Sequence, residues 1–317
     1  MGLFVIKSGV IMNLDDKFLL GYIPKVVKSQ LDVNIGELKF IGGGSFGRVY
    51  KATKPNGEII ILKAYYVKGM EVTEASQLKI LSENTSVAMP KVHFTYSDDE
   101  IALLCMSFID GKNALDVSFL LKSRAQKEKF ANDVIDGMLQ WHSVKGEKFG
   151  YLENAVYDSW KEFYIENKVS RDLAGLKKLM DEGKYSKKNY DLLCRGLDIF
   201  KEVVNEPESP VLIHGDLNIM NIMADTKTMK LTGFIDPCGS MWADKEYDLF
   251  QFLNMWGNAY KLYDTYKSKS KMSEHCDFKV AFYGALHENS MRLKGGLIVP
   301  VWEIQNNNRL KKAMAKY

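Results

Sequence analysis

The hydrophobic period of this 317-residue chain changes near Gly111, and this change constrains the fold more than any other feature. Before it, short β-rich segments predict strands in ELKFIGGG, GRVYKATK, EIIILKAYYV, KVHFTYS and IALLCMSFI, and Gly or Pro-Asn-Gly turns separate the first three. A helix is predicted over residues 70–83, and another over residues 14–31 that Pro24 is expected to end or kink. The pattern indicates a small antiparallel sheet with one inserted helix.

Beyond Gly111, apolar residues recur at helical spacing in stretches near residues 113–142, 157–182, 186–204, 243–267 and 275–293. Only residues 211–236 are strand-like in this part. The sequence therefore predicts an α+β fold of two lobes. Residues 1–107 are expected to form a β-rich N-terminal lobe, residues 108–111 a hinge, and residues 112–317 a larger, mostly helical C-terminal lobe.

Composition argues against several kinds of partner. The 43 Lys and Arg residues nearly balance the 40 Asp and Glu residues, and no long single-sign run occurs, so neither nucleic acid nor a membrane surface is favoured. A basic leader and an 18-residue apolar run are both lacking, so secretion and membrane spanning are not expected. The cysteines are scattered without a CxxC pair, which predicts reduced thiols and a cytoplasmic location for Cys105, Cys194, Cys238 and Cys276.

A glycine-rich segment lies between the first two predicted strands. GGGSFGRV fits the pattern G-x-G-x-x-G-x-V with Gly42, Gly44, Gly47 and Val49, and it includes Ser45. Glycines let backbone N–H groups approach phosphate oxygens without a Cβ in the way. A flexible hairpin would carry the same glycines, so the segment alone does not establish a nucleotide site. The lack of a directly following helix counts against a dinucleotide-binding fingerprint.

Lys63 ends a strongly apolar predicted strand. An ammonium that faces inward there needs an anionic partner or a phosphate, whereas a surface lysine needs neither. Glu74, on the helix that follows, is the preferred partner because it shares a helical spacing with Leu78 and Leu81. Glu71, one turn earlier, is the rival.

Polar residues interrupt the apolar run VLIHGDLNIMNIM. His214, Asp216 and Asn221 fit the catalytic-loop pattern H-x-D-x-x-x-x-N, and Asp236 follows in GFIDP. In phosphoryl transfer, the first Asp receives or orients the acceptor hydroxyl, while the Asn and the second Asp hold magnesium on the nucleotide phosphates. Each residue alone also fits a structural role, such as a turn cap or a hydrogen-bonded histidine. The joint order of the glycine loop, lysine, glutamate and these two motifs favours kinase chemistry.

Together with the front-lobe motifs, LIHGDLNIMNIM and GFIDPCGSMWADKEYDLFQF resemble the aminoglycoside phosphotransferase and fructosamine kinase superfamily over about residues 37–260. The resemblance implies a protein-kinase-like fold. It also implies that Asp216 is the catalytic base and that Asn221 and Asp236 are metal ligands. Lys63 would contact the α and β phosphates.

The resemblance further implies a nucleotide site that uses ATP, with GTP as an alternative, and Mg²⁺. Adenine would bind backbone groups of a hinge formed by Met106, Ser107, Phe108 and Ile109. Asp248, in EYDL, and His214 would support the catalytic loop. Partners would be a small-molecule hydroxyl acceptor, with no nucleic acid and no membrane, and the protein would be a monomer or a weak dimer.

Two parts of the resemblance differ on the acceptor. FGYLENAVYDSWKEFY and ADKEYDL are similar to fructosamine kinases, whereas Asn218 after HGDL is usual in aminoglycoside phosphotransferases, where fructosamine kinases typically have tryptophan. Ser107 stands where the hinge of the family often has glutamate. The first expectation is transfer of the γ-phosphate of ATP to an aminoglycoside or other amino sugar, with antibiotic resistance as one role. A fructosamine or ketosamine, and then choline or a sugar, are the alternatives.

The acceptor pocket is expected between the catalytic loop and the helices of the C-terminal lobe. Candidates to line it are Asp158, Trp160, Tyr164, Trp242, Asp244, Glu246, Tyr247 and Trp256. The acidic members would receive a cationic amino sugar. A solvated charged face and an aromatic core are the alternatives for these residues.

Two rival classes of protein are less favoured. A protein kinase needs an activation segment ending in A-P-E, but only eleven residues separate Asp236 from Asp248 and Pro237 replaces the usual Phe-Gly. A pseudokinase acting as a regulatory module normally lacks Lys63, Asp216 or Asp236, and all three are present.

Overall fold

The described part of the chain opens with a helix that crosses a proline. The computed structural model describes residues 12, 14–44, 46–254, 257–293 and 298–317. Helix α1 spans Asp16–Leu31, and the carboxylate of Asp15 caps it by accepting the N–H of Phe18 at 2.9 Å. Of the two alternatives expected at Pro24, an end or a kink, the end is wrong, because the helix continues to Leu31. The proline removes only the bond to the carbonyl of Leu20, which lies on the exposed side, while the opposite face of α1 is buried.

A five-stranded antiparallel sheet with one inserted helix follows, as the sequence predicts. Its strands have the order β1-β2-β3-β5-β4. The elements are β1 Lys39–Gly43, β2 Gly47–Thr53, β3 Ile59–Tyr65, α2 Met70–Glu83, β4 Val92–Ser97 and β5 Ala102–Ser107.

The two faces of this sheet pack differently. Ile60 and Leu62 of the central strand β3 belong to the core beneath α1, whereas Ile61 belongs to the core shared with α2 and the helical part. Because side chains alternate along a strand, Lys63 lies on the same face as Ile61. The alternation therefore directs Lys63 toward α2 and the second half of the chain.

The C-terminal part is mainly helical, with two small sheets of strand order β11-β10-β6 and β8-β7-β12-β9. Its elements are β6 Lys112–Asn113, α3 Arg124–Ser143, β7 Phe149–Tyr151, β8 Asn154–Tyr157, α4 Trp160–Tyr164, α5 Ser170–Asp181, α6 Lys187–Val203, β9 Val211–Ile213, β10 Ile222–Ala224, β11 Leu231–Phe234, β12 Met241–Ala243, α7 Leu262–Lys269, α8 Cys276–Ser290 and α9 Pro300–Met314. One π-helical turn, Ile165–Val169, joins α4 to α5.

Two expectations for this part are wrong. Strands are not confined to residues 211–236, because β6, β7, β8 and β12 lie outside that range and are too short to display an alternating pattern. The stretch 243–267 is not one α-helix either. It contains the 3₁₀ segments Lys245–Leu253 and Gly257–Tyr260 before α7 begins. Across the described ranges, none of the helices has the length and apolar character needed to span a bilayer.

Candidate active site

Lys63 joins three elements of the fold. Its Nζ donates to Oε2 of Glu74 on α2 at 2.6 Å and to Oδ1 of Asp236 after β11 at 2.5 Å. The hydroxyl of Tyr65 donates to the same oxygen of Glu74 at 2.6 Å. Glu71, the rival partner, instead accepts the N–H of Gly69 at 2.8 Å. The structure therefore pairs Lys63 with the glutamate that the helical spacing favours.

Electrostatics keep this buried lysine charged. Burial by itself would lower the pKa of Lys63, but the facing carboxylates of Asp236 and Glu74 outweigh it and raise the pKa above its usual value. A lysine without these partners would be costly to bury, because only 6% of Lys63 is exposed. The ammonium is therefore available as a fixed positive charge on β3.

Asp236 has an unusual backbone conformation. Its φ is +55°, in the left-handed region that non-glycine residues seldom adopt. Neighbouring contacts hold the segment, since the N–H of Ile235 donates to the carbonyl of Asn221 at 3.0 Å. The side chain of Asp236 is 45% exposed, unlike that of Lys63, so its carboxylate remains accessible. Backbone strain that the surroundings enforce is typical of functional sites.

Three side-chain amides surround the carboxylate of Asp216. Oδ1 accepts from Asn218 Nδ2 at 3.0 Å and from Gln251 Nε2 at 2.7 Å, while Oδ2 accepts from Asn221 Nδ2 at 3.2 Å. Nδ2 of Asn221 also lies 3.5 Å from the carbonyl oxygen of Asp236. Asp216, Asn221, Asp236 and, through Asp236, Lys63 therefore form one connected cluster.

The environment changes the protonation of Asp216. Burial and then the negative charge of Asp236 raise the pKa of Asp216 to about 7, and the amides of Asn218 and Asn221 oppose the rise. A general base is most effective when its pKa lies near the working pH. Asp216 therefore has the properties of a residue that can accept or share a proton.

Asp248 anchors the backbone of the loop that carries Asp216. It is fully buried and accepts the N–H of His214 at 2.9 Å and the N–H of Gly215 at 2.7 Å. Gly215 has a φ of +83°, and a Cβ there would lie 2.5 Å from the carbonyl oxygen of Gly239. This position therefore requires glycine.

His214 is a neutral, buried residue of the same loop. Burial lowers the pKa of His214 to about 4, and its Nδ1 accepts the N–H of Asp216 at 3.3 Å. The hydroxyl of Ser240 donates to the carbonyl of His214 at 2.9 Å. His214 thus contributes to the shape of the loop and carries no charge at neutral pH.

Gly42, Gly44 and Gly47, which the sequence predicts to contact the nucleotide, lie at the hairpin between β1 and β2. This hairpin is adjacent to the strand that carries Lys63. The N–H of Gly44 donates to the carbonyl of Gly47 at 3.0 Å, and Val49 faces Lys63 in the β2–β3 register. A Cβ on Gly47 would lie 2.0 Å from the carbonyl oxygen of Ala64, so the strand pair admits only glycine there. Gly42 lies on β1, whereas Ser45 falls outside the described residues.

The predicted hinge is partly occupied by the protein itself. Met106 and Ser107 end β5, and Ser107 exchanges two bonds with Lys91, donating its N–H to the carbonyl at 2.9 Å and accepting the N–H at its Oγ at 2.8 Å. Phe108 lies under the ammonium of Lys51, 4.2 Å from the ring centre, and Ile109 contacts Gly233. The N–H of Ser107 is therefore already bonded and is poorly placed to receive adenine.

The acidic residues expected to receive a cationic amino sugar lie elsewhere. Asp244 and Glu246 are buried and bind Lys279 Nζ at 2.5 and 2.8 Å, so they are neutralised inside the C-terminal part. Asp158 is exposed and pairs with Lys148. The expectation for Asp244 and Glu246 is therefore wrong, because a buried carboxylate with its own cation does not meet a ligand from solvent.

Most of the predicted aromatic lining belongs to the core. Trp160 is fully buried and donates its indole N–H to the hydroxyl of Tyr283 at 2.8 Å. Tyr164 and Tyr247 are buried beside it, with stacked or edge-on ring contacts. Trp242 packs on Gly146, and Trp256 falls outside the described residues. The aromatic-core alternative therefore holds for Trp160, Tyr164 and Tyr247.

Sequence reasoning missed Gln251 and gave Asn218 no role in the cluster. The signal for Gln251 lies in its spacing, three residues after Asp248 in EYDLFQF. Side chains three residues apart eclipse one another in a 3₁₀ helix, but an α-helical interpretation of the same stretch rotates them apart. In the observed 3₁₀ segment both residues reach the catalytic loop.

The cluster suits a hard cation such as Mg²⁺, with limits. Asp236 offers an accessible carboxylate, and Asn221 can offer its amide oxygen because Nδ2 makes the bonds to Asp216. In the part of the chain that the structure describes, no group of three or more His, Cys, Asp or Glu residues forms a protein cage for a metal. Magnesium sites in nucleotide enzymes typically use one or two protein ligands and complete the shell with phosphates and water.

One family model matches most of the chain. The family model described as fructosamine kinase matches residues 23–291. The uncharacterized protein YcbJ of Escherichia coli K12 is 18% identical over 197 residues, 62% of this chain and 66% of YcbJ. The chain thus spans just under two thirds of the length of the curated relatives it matches.

Two solved structures share the fold. A candidate fructosamine-3-kinase of Thermobifida fusca YX-ER1 superposes with a TM-score of 0.70 at 18% identity, covering 92% of this chain and 98% of that chain. A thermostable mutant of aminoglycoside phosphotransferase APH(4)-Ia, in a ternary complex with AMP-PNP and hygromycin B, has a TM-score of 0.65 at 13% identity, with coverage of 92% and 98%. The kinase-like, two-part α+β architecture expected from the sequence is confirmed.

Proposed function

The chain belongs to the fructosamine kinase family, and from that premise we propose that it is a phosphotransferase that moves the γ-phosphate of ATP to a hydroxyl of a small molecule. One observation carries the proposal. Lys63, Asp216, Asn221 and Asp236, which come from distant parts of the chain, meet in a single connected cluster. A phosphoryl-transfer site needs these residue types together, because its catalysis consists of positioning and charge stabilisation.

Each member of the cluster has a proposed role. Asp216 orients the acceptor hydroxyl and accepts its proton, which the pKa of about 7 supports. Asn221 and Asp236 would hold magnesium, which supplies neutralisation of the phosphate charge. Lys63, held by Glu74, presents its ammonium to the phosphates. The glycine hairpin at Gly47 would cover them with backbone N–H groups.

The acceptor is proposed at the level of its class. An amino sugar remains the first candidate, supported by a fold shared with a protein solved with hygromycin B. A ketosamine is the second candidate, because the family model is that of fructosamine kinases. The burial of Asp244 and Glu246 removes the acidic residues that would have favoured a polycationic acceptor. Whether the acceptor is an antibiotic is decided by the same assay that identifies it.

Two further proposals concern the protein as a whole. All four cysteines are free thiols, which supports a cytoplasmic location. A monomer or weak dimer is the proposed oligomeric state, and light scattering on the purified protein measures it directly.

The proposal is tested by an ADP-release assay with Mg²⁺-ATP over aminoglycosides, fructosamine adducts, choline and simple sugars. Asp236→Ala should abolish turnover of the acceptor identified and weaken ATP binding only when magnesium is present, because the cation is the main partner of the triphosphate. Asp191→Ala removes an exposed carboxylate of α6 and is the matched control. Unchanged turnover and magnesium-dependent affinity in Asp236→Ala would refute the assignment.

A further inference from the structure

Gln251 makes the shortest side-chain amide contact to Asp216. Its Nε2 donates to Oδ1 at 2.7 Å, against 3.0 Å for Asn218 to the same oxygen and 3.2 Å for Asn221 to Oδ2. Only 4% of Gln251 is exposed. Glutamine is mostly a surface residue and is buried when its amide is hydrogen-bonded, so this burial indicates a defined partner.

The contacts distinguish the two oxygens of Asp216. A carboxylate oxygen has two lone pairs. Gln251 and Asn218 fill both on Oδ1, whereas among the described residues Oδ2 accepts one side-chain amide bond, the longer one from Asn221. Oδ2 therefore keeps one lone pair that these side-chain amides do not fill.

One 3₁₀ segment contacts both the backbone of the catalytic loop and the side chain of Asp216. The 3₁₀ segment Lys245–Leu253 contains Asp248 and, three residues later, Gln251. Asp248 accepts two backbone N–H groups of the catalytic loop, and Gln251 donates to the carboxylate that the loop carries. The torsion that rotates a carboxylate is broad, so side-chain partners rather than the rotamer itself must fix its plane.

We infer that Gln251 is a positioning residue, which holds Oδ1 of Asp216 so that Oδ2 faces the acceptor hydroxyl. The inference rests on the proposed function. It adds that the orientation of Asp216 depends on a residue outside the H-x-D-x-x-x-x-N motif. Without the amide of Gln251, Asp216 rotates among orientations of which only a fraction is productive, and the rate falls in proportion to that fraction.

The test replaces the donor while keeping the volume. Gln251→Met removes the N–H donor from a side chain of similar size, and Gln251→His returns an N–H at the same number of bonds from the backbone. Gln251→Met should lower kcat by about 10- to 100-fold, as expected for the loss of one hydrogen bond to a charged group. The KM for ATP should stay within about twofold, because Gln251 contacts only Asp216 within this cluster. Gln251→His should recover most of the loss.

Repeating the Gln251→Met change in an Asp216→Ala protein distinguishes positioning through Asp216 from a general structural effect. In Asp216→Ala the contact no longer exists, so adding Gln251→Met should not lower the residual rate, measured with radiolabelled ATP, any further. Thermal melting checks that each variant folds. If Gln251→Met does not fold, Gln251→Asn, whose amide is one methylene too short to reach Asp216, takes its place.

The possible results are distinct. A loss of kcat that is absent in the Asp216→Ala background and restored by histidine supports the inference. A kcat within twofold of the parent, an equal loss in both backgrounds, or a rise in the KM for ATP instead of a fall in kcat overturns it. If Asp216→Ala itself leaves turnover intact, the proposed function fails, and that outcome is separate from any result at Gln251.

Discussion

Replacing Asp248 by asparagine should disable the catalytic loop although the two side chains have nearly the same shape. The carboxylate of Asp248 is fully buried and accepts the N–H groups of His214 and Gly215 at 2.9 and 2.7 Å. An asparagine has one oxygen for these two donors. Its NH₂ group would face the second N–H, so a donor would meet a donor in a site without solvent.

The free-energy cost follows from these two bonds. A hydrogen bond to a charged group contributes about 1.5–3 kcal/mol, and a buried donor left without an acceptor costs about 1–3 kcal/mol. Part of the second figure overlaps the first, so Asp248→Asn should lower the free energy of unfolding by about 2–4 kcal/mol. The loss is a large fraction of the roughly 5–15 kcal/mol that stabilises a typical domain. Because the same loop carries Asp216, kcat should fall even at urea concentrations at which the variant is still folded.

Urea denaturation measures the stability, and acceptor turnover at low urea measures the loop. Asp225→Asn is the control, because Asp225 also accepts two backbone N–H groups, from Lys227 at 3.1 Å and Thr228 at 2.7 Å, but both at Oδ1 and on an exposed turn. The single oxygen of an asparagine can accept both bonds there, and water reaches the turn, so this variant should change far less. A loss below about 1 kcal/mol for Asp248→Asn, or equal losses in both variants, would show that the buried anchor does not set the loop.

Other predictions concern burial, sterics and pH. Lys279→Met should lower the free energy of unfolding by about 3–5 kcal/mol, because it leaves two buried carboxylates without their cation, whereas Lys187→Met, at an exposed ion pair of similar length, should cost under about 1 kcal/mol by the same denaturation assay. Gly47→Ala should weaken nucleotide binding, measured by calorimetry, since its Cβ would meet the carbonyl of Ala64 at 2.0 Å. Unchanged affinity would show that the hairpin does not contribute to nucleotide binding. Burial raises the pKa of Asp98, but hydrogen bonds from two tyrosine hydroxyls outweigh it and lower the pKa to about 2. The ionised Asp98 therefore stabilises the fold at pH values above its ordinary pKa near 4, and this contribution is lost as the pH falls toward 2. The difference in free energy of unfolding between the parent and Asp98→Asn should narrow between about pH 4 and pH 2. A constant difference over that interval would contradict the lowered pKa.

Local pattern predicted the front of the molecule well. The five strands of the first sheet and the bounds 70–83 of helix α2 follow from period and turn residues, because each strand spans enough residues to display them. The contact between Lys63 and Glu74 also follows, since helical spacing distinguishes Glu74 from Glu71. At the site, the fixed spacing of H-x-D-x-x-x-x-N predicted Asp216 and Asn221 together, and the separate segment GFIDP predicted Asp236.

The remaining features could not be predicted because they depend on residues that are distant in sequence or on geometry that the hydrophobic pattern does not show. The charges of Asp244 and Glu246 are visible in the sequence, but their cation, Lys279, lies 35 and 33 residues further along the chain. Helix α9 buries Asn306 and Asn307 along with apolar residues, so its inner face has no clear hydrophobic period. Gln251 depends on a 3₁₀ geometry that hydrophobic spacing does not distinguish from an α-helix.

The central claim is that Asp216 acts on the acceptor hydroxyl, and Asp216→Asn tests it most directly. The change keeps the shape of the side chain and removes its capacity to take a proton, so phosphoryl transfer to the identified acceptor should fall by about a hundred- to ten-thousandfold. ATP affinity, measured by calorimetry on the same protein with magnesium, should stay near that of the parent, because this contribution is made mainly in the transition state. A variant that binds ATP normally and transfers phosphate within a few-fold of the parent would contradict the account.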